Sequence, residues 1–563
     1  MAEGIRLRDL FRNGWLATSN GLRRLRRARI DYVIVRVQGS YPERIPQPER
    51  RFPLSLLPWP PPPPSVESFN EVLKRLAGDD RVQGAILVIS GLAAGPATLA
   101  SLRQAVGRFR EAGKEAVAYV QDHGMWSYYL ATACNQIYYP ESGGLNAAGL
   151  WSEVVFLKDT LAMAGIEGDF EAIAEYKVTP DRFRRSEMTE PHREMLESLL
   201  DSIYGIVIEA IAEGRGLAAE EVRDLLDNVP LQPEDMLEAG LLDGVCYEDE
   251  LAARLGQAEL LTWKAARKRL VRPIRWHSKR AIGVISLEGT IVPGASRRPP
   301  LPIPLPLPVP EKQAGSDTLV AQLRAAARNK DLAAVVLHVD SPGGSALASD
   351  LIWRAVVRLR REKPVVVYMG DVAASGGYYV SAPANAIYAQ GTTLTGSIGI
   401  WGGKFVTQGL YEKLQAGRAV VSRGKAAGIF ADDDLFDDEE RRRIRADLGD
   451  AYARFKARVA EGRGLDRVAV EAVARGRIWT GAQAMNRDLV DELGDLQMAA
   501  DKARELAGLP TRRHTPLVTV RPPKEALAPL PTPAEAQAWL GNLARLVRGS
   551  ALALAPWTIR IRD

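Results

Sequence analysis

Cysteine is almost missing from this chain: Cys134 and Cys246 are the only two in 563 residues. Two cannot staple a protein of this size, and they lack the C-x-x-C spacing that zinc sites use. No segment holds the roughly 18 to 20 uninterrupted apolar residues that a membrane-spanning helix requires. There is little excess charge either, with 74 Lys and Arg against 69 Asp and Glu for a net +5. At 46% apolar and 25% charged residues, the composition excludes a disordered chain, a collagen and a disulfide scaffold. The fold must rest on burial, for which the chain is long enough.

The first thirty residues carry arginines where a secretory signal would need its apolar stretch, and they lack a small-x-small cleavage site. Leu7, Leu10, Phe11, Trp15, Leu22 and Leu25 recur at about helical spacing among those arginines. That pattern suits a helix lying on an anionic membrane surface, or a basic helix docked on its own protein.

Self-similarity is the most informative feature present. VIVRVQGS at 33–40 reads like GVISLEGT at 283–290, an offset of 250 residues. Each copy continues with a proline-rich stretch, then a helical pattern, then an apolar strand, GAILVIS against AVVLHVD. YYLATACNQIYY matches YYVSAPANAIYA at the same offset, and EGRGL recurs at 213–217 and 461–465. Within each copy short β-branched strands alternate with helices, which predicts an α/β fold with parallel sheet cores, used twice. The expected organisation is a basic amphipathic segment over 1–30, a first repeat over 31–265, a basic linker over 266–280, a second repeat over 281–510, and a Pro/Ala-rich tail over 511–563. That tail holds an amphipathic helix candidate around AEAQAWLGNLARLVRG. The proline-rich stretches read as stiff polyproline spacers.

Differences between the copies point to chemistry. Gly343 and Gly344 stand opposite Ala93 and Ala94; paired glycines at a strand-to-helix turn let backbone N–H groups face an oxyanion. Ser375 is followed by Gly376 and Gly377 directly after an apolar strand, while its counterpart in the first copy is Met125 or Trp126, neither a nucleophile. A serine nucleophile needs a base. The five histidines, His123, His192, His277, His338 and His514, all have settings unlike a triad: an apolar strand, the degenerate copy, or polar and linker sequence. A desolvated lysine is the remaining option. Lys177, in the apolar context AIAEYKV, and Lys425, in SRGKAAG, occupy matched points of the repeat. Such a base must lose about three pKa units from roughly 10.4, a cost near 4 kcal/mol that an apolar pocket can impose.

VISLEGTIV, DSPGGS, GDVAASGGYYVS, LTGSIGIWGG, EYKVTPDRFRRSEMT and RIWTGAQA together resemble signal peptide peptidase A in its long form, Ser/Lys proteases built from two ClpP/crotonase-like repeats. The resemblance spans about 31–510. It implies Ser375 as nucleophile, Lys177 as general base, backbone N–H groups of Gly376 and of the Gly343/Gly344 turn as oxyanion donors, and Ser397 as the residue orienting the lysine, with Thr395 the nearby alternative. Shorter relatives draw their lysine from the serine's own repeat, which keeps Lys425 in play. It further implies hydrophobic peptide substrates such as signal peptide remnants, a ring-like homotetramer, and no metal or cofactor. Many long-form relatives begin with a membrane anchor that this chain lacks, so a peripheral membrane contact or a free cytoplasmic protein are the expectations here, and no nucleic acid partner is expected. Two rivals remain: a crotonase-type acyl-CoA enzyme, for which Asp340 and Asp371 are the acids beside the glycine turns, and a non-catalytic scaffold on membrane surfaces.

Overall fold

A computed structural model describes residues 7–25, 29–45, 63–146, 149–297, 312–523 and 552–554. Most of both proline-rich stretches and the amphipathic candidate of the tail lie outside the described residues.

The first repeat contributes β1 (Tyr32–Gly39), β2 (Gly84–Leu92), β3 (Glu115–Val120), β4 (Gln136–Tyr139), β5 (Glu167–Ile173), β6 (Gly244–Val245) and β7 (Leu260–Thr262). All but β5 form one parallel sheet in the order β6-β4-β3-β2-β1-β7. Its central strands read as almost continuous apolar runs, as strands covered on both faces must: Ala85 to Ile89 and Ala116 to Val120 are all buried. Among its helices, α1 (Leu7–Leu25), α2 (Val66–Ala77) and α3 (Pro96–Glu111) matter below.

The second repeat supplies β8 (Ala281–Glu288), β9 (Thr290–Val292), β10 (Gln313–Gly315), β11 (Leu332–Ser341), β12 (Gly343–Ser345), β13 (Val365–Ala374), β14 (Ala386–Ala389), β15 (Leu394–Gly396), β16 (Ile400–Val406), β17 (Ile478–Thr480), β18 (Glu492–Leu493) and β19 (Leu517–Thr519). The main sheet runs β17-β15-β13-β11-β8-β19, with β14 bridging β13 and β18. Its pairs are parallel except β15 with β17. The two sheets therefore repeat one design, as the 250-residue offset predicts. Tyr128 donates to the Leu241 carbonyl and Tyr378 to the Leu489 carbonyl from the same place in each repeat. That shared contact sets the alignment: Met125, not Trp126, stands where Ser375 does.

A third sheet joins the halves. β5 of the first repeat pairs antiparallel with β16 of the second from Glu167 opposite Val406 to Ile173 opposite Ile400. Phe170 packs on Trp401 and Phe405, and Arg441 donates to both Asp169 and Glu171. The order is β10-β9-β12-β20-β16-β5, where β20 (Leu552–Leu554) is a short strand lying antiparallel between β12 and β16. No described helix is long and apolar enough to cross a membrane.

Candidate active site

β13 ends at Ala374, and the chain turns at once into the helix Gly376–Ser381. Ser375 is the hinge, fully buried with φ +56° and ψ −114°. A non-glycine residue holds such a backbone only where its surroundings enforce it. Here the Ser375 N–H donates to the Gly396 carbonyl at 2.7 Å, and the Ser375 carbonyl accepts from Tyr379 at 2.8 Å. The residue after it must be small: a Cβ on Gly376 would stand 2.6 Å from Ser349 Oγ and 3.2 Å from Gly343 Cα. The two glycine turns singled out in the sequence are thus in direct contact. Gly376 occupies the first helical position, where an N–H has no intrahelical partner.

Lys177 arrives from the other half of the molecule. It follows β5 on a tight turn in which Ala174 has φ +73° and Tyr176 N–H donates to the Arg475 carbonyl. Its amine lies 2.8 Å from Ser375 Oγ, 3.0 Å from Ser397 Oγ and 3.2 Å from the Ser397 carbonyl. The side chain is 1% exposed. Burial alone drives its pKa well below the ordinary lysine value, with no carboxylate among the causes to oppose it. A second buried lysine, Lys404 on β16, instead lies over the Phe436 ring.

Ser397 therefore takes the place beside the lysine, held at φ +51° with its N–H on the Arg477 carbonyl. Thr395 points elsewhere and donates to the Ala373 carbonyl. Lys425 lies in an exposed loop away from this cluster. Gly343 has φ +100°, and its N–H donates to Ser341 Oγ at 3.1 Å, while Ser341 Oγ itself donates to the Gly289 carbonyl. His338 is stacked on Tyr368 within the sheet. Asp371 accepts from Ala97 N–H, Thr98 N–H and Thr98 Oγ1 at the start of α3, and Asp340 accepts from Val372 N–H. Asp371 is thus spent on packing the halves together, and Asp340 on a backbone contact within its own repeat.

Three contributors escaped sequence reasoning. Gly399 and Gly476 make room for the lysine: a Cβ on Gly399 would stand 3.1 Å from Lys177 Cδ, and one on Gly476 would stand 2.7 Å from Lys177 Cβ. Ser341 holds the Gly343 turn. Gly399 and Ser341 lie inside motifs already noted, but nothing in the sequence says what either of them, or Gly476, touches.

The model of peptidase family S49 matches residues 108–262 and 358–510. The chain belongs to peptidase family S49. Lys177 falls within the first matched segment and Ser375 and Ser397 within the second, while Gly343 and Gly344 lie outside both. As an S49 peptidase, the protein is similar to "Serine protease SPPA, chloroplastic" of Arabidopsis thaliana, 33% identical over 474 residues that cover 82% of this chain and 69% of that one. "Protease 4" of Haemophilus influenzae is 28% identical over 469 residues, 79% of this chain and 74% of its own. Among solved structures, a mutant of ClpP1 from Listeria monocytogenes aligns with 38% of this chain and 94% of that one, at 12% identity and a TM-score of 0.24. Family and relatives make this S49 peptidase a serine protease with an α/β fold in two repeats.

Proposed function

We propose that the protease acts through a Ser375–Lys177 dyad on hydrophobic peptides bound in extended form, signal peptide remnants among them. The observation that carries this reading is the hydrogen-bond arithmetic at the amine. A neutral lysine has two N–H donors and one lone pair. Ser397 Oγ and the Ser397 carbonyl take both donors, which leaves the lone pair for the hydroxyl of Ser375 at 2.8 Å. In this mechanism Lys177 removes the Ser375 proton as Oγ attacks the peptide carbonyl. The oxyanion is met by the Gly376 N–H and by the Gly343/Gly344 turn, where the Gly343 N–H would exchange Ser341 Oγ for the substrate oxygen. The protonated lysine then gives its proton to the leaving amine, and the same base activates water for deacylation. Under this reading 31–265 is the half that supplies the base, 281–510 the half that supplies nucleophile and oxyanion donors, and 266–280 the linker.

Extended binding is supported by β20, which pairs Leu554, Ala553 and Leu552 with Gly343, Gly344 and Ser345. The slot between β12 and β16 thus takes a strand through main-chain hydrogen bonds, the mode by which sheets recognise peptides. A ring-like homotetramer is supported by two open edges. Residues 417–423, the second-repeat counterpart of β5, form no strand, and Val420 and Val421 are 64% and 86% exposed. Residues 150–156, the first-repeat counterpart of β16, form no strand either, and Trp151 and Val155 are half exposed. Pairing these edges between copies would repeat head to tail the contact that β5 and β16 make within one chain. The exposed apolar residues of α1 support a peripheral contact with a membrane surface.

Hydrolysis of a hydrophobic fluorogenic peptide by the wild type, Ser375→Ala, Lys177→Ala and Lys425→Ala tests the dyad. The first two variants should lose at least a thousandfold in kcat/KM, and Lys425→Ala should stay within about twofold of the wild type. Undiminished turnover by Ser375→Ala would end the assignment.

A further inference from the structure

Helix α1 is docked with its polar side inward. Asp9, Asn13 and Leu16 are buried, and the helix grips the inter-repeat linker through backbone groups. Asp9 accepts from the His277 N–H, Arg12 and Asn13 donate to the Arg275 carbonyl, and Asn20 both accepts from and donates to the backbone of Arg272. The apolar side is left to solvent: Phe11, Trp15, Leu22 and Leu25 are 79%, 60%, 60% and 77% exposed. At 3.6 residues per turn these four fall within about 80° of arc, a ridge about 21 Å long. A helix stabilised by packing on its own protein would bury that ridge, so its outward placement calls for an apolar occupant.

Beside the ridge opens a pocket of about 670 Å³ whose wall includes Arg12, Arg23, Arg75, Arg267, Lys268 and Arg272, and no carboxylate. Arg75, Arg267, Lys268 and Arg272 make no ion pair with a described carboxylate. Burial, together with the guanidinium groups of Arg23, Arg272 and Arg267, pushes the Arg75 pKa down. These four cations thus share a pocket whose wall holds no carboxylate, with Asp79 the nearby acid that partly offsets the charge at Arg75. Arg272 lies 5.5 Å over the Trp15 ring and so connects pocket to ridge.

We propose that this pocket binds the phosphate headgroup of an anionic phospholipid while Phe11, Trp15, Leu22 and Leu25 enter the acyl region beside it. The inference rests on the membrane contact put forward above and names its ligand. A free phosphate or a nucleic acid would satisfy the cations but leave the ridge in water. A bilayer with anionic headgroups satisfies both, and stable surface attachment requires both signals.

The test is sedimentation of the full chain with phosphatidylcholine vesicles, with and without a minority of phosphatidylglycerol. It compares the wild type, a pocket variant (Arg267→Gln with Arg272→Gln), a ridge variant (Phe11→Ser with Trp15→Ser) and Ser375→Ala. The wild type and Ser375→Ala should bind anionic vesicles equally, so the outcome does not depend on the dyad. The pocket variant should bind them about thirtyfold more weakly, at roughly fivefold per cation removed, and the ridge variant should lose binding to the anionic vesicles. Unchanged peptide hydrolysis by both variants shows that they fold. If the wild type binds no vesicle, the membrane contact itself is wrong. If the pocket variant binds anionic vesicles like the wild type, only the pocket is wrong. Inorganic phosphate, glycerophosphoglycerol or a polynucleotide binding the wild type as tightly as anionic vesicles do would overturn the lipid assignment. So would a ridge variant that changes oligomeric state while keeping its vesicle binding, since the ridge would then join copies of the chain.

Discussion

Lys177 has three oxygen neighbours and no carboxylate to hold its charge. Its folded-state pKa is depressed, so between that value and about 10.4 the unfolded chain binds more protons than the folded one, and stability from this group rises with pH. Under the proposed dyad, activity has the same sign, because only the neutral amine would accept the serine proton. The kcat/KM profile should climb with an inflection well below 10.4 and then level, and Lys177→Arg should flatten it to background; an inflection at the ordinary lysine value would contradict the role. Gly476 belongs to the same scale. With φ +80° and a Cβ that would meet the Lys177 backbone and Cβ, Gly476→Ala should cost about 1 to 3 kcal/mol in stability. It should also lower kcat at least tenfold by displacing the amine, as thermal denaturation and peptide hydrolysis would report. Ser375 and Lys177 were legible because each departs from its surroundings in the sequence: a serine where its twin has methionine, a lysine amid apolar residues. Gly476 was not, since a glycine reports its neighbours only once the chain has brought them together.

The carboxylate of Asp371 on β13 serves as a cap for α3 of the other repeat, accepting two backbone N–H bonds and one hydroxyl bond. Helix N-termini favour a negative charge, and a Cβ on Gly95, the residue before α3, would clash with this carboxylate. Burial raises the pKa of both Asp371 and its neighbour Asp340. Of the two, Asp371 has the three donors that favour an ion, so the proton belongs on Asp340. Asp371→Ala should lower stability by about 3 kcal/mol through unmatched buried donors, and Asp371→Asn, which retains an acceptor for the N–H groups, by less than half of that; denaturant midpoints would measure both. At this scale the parallel strands were readable from their apolar runs and their offset. The pairing of β5 with β16 was not. Which edges meet across two repeats depends on how the repeats dock, and strand patterns carry no record of docking.

Glu43 shows how tightly the halves are fitted. It leaves the first repeat after β1 and accepts a hydrogen bond from Tyr368 of the second at 2.8 Å, while burial pushes its carboxyl up to about 8. A raised carboxyl pKa contributes stability that is present below about 4.5 and lost as pH rises through about 8. Glu43→Gln, which keeps the acceptor and removes the ionisation, should therefore match the wild type at pH 4 and exceed it at pH 9 by on the order of 3 to 5 kcal/mol. Melting temperatures across that range would show a gap that opens with pH; a gap that closes would refute the assignment. The duplication itself was plain in the sequence. How far each half depends on the other was not, because Glu43 stands in a loop with no pattern of its own.

Lys177 and Ser375, the proposed base and nucleophile, are separated by 198 residues and meet across the pairing of β5 with β16. A ribosome that has released the first repeat has made Lys177 without its proposed partner, and one still completing the second repeat has yet to add Gly396, whose carbonyl holds the Ser375 hinge, and Arg477, whose carbonyl holds Ser397. Under the proposed dyad, proteolytic competence would await the folding of the second repeat against the first, which would spare the nascent chain from its own activity until both halves are joined.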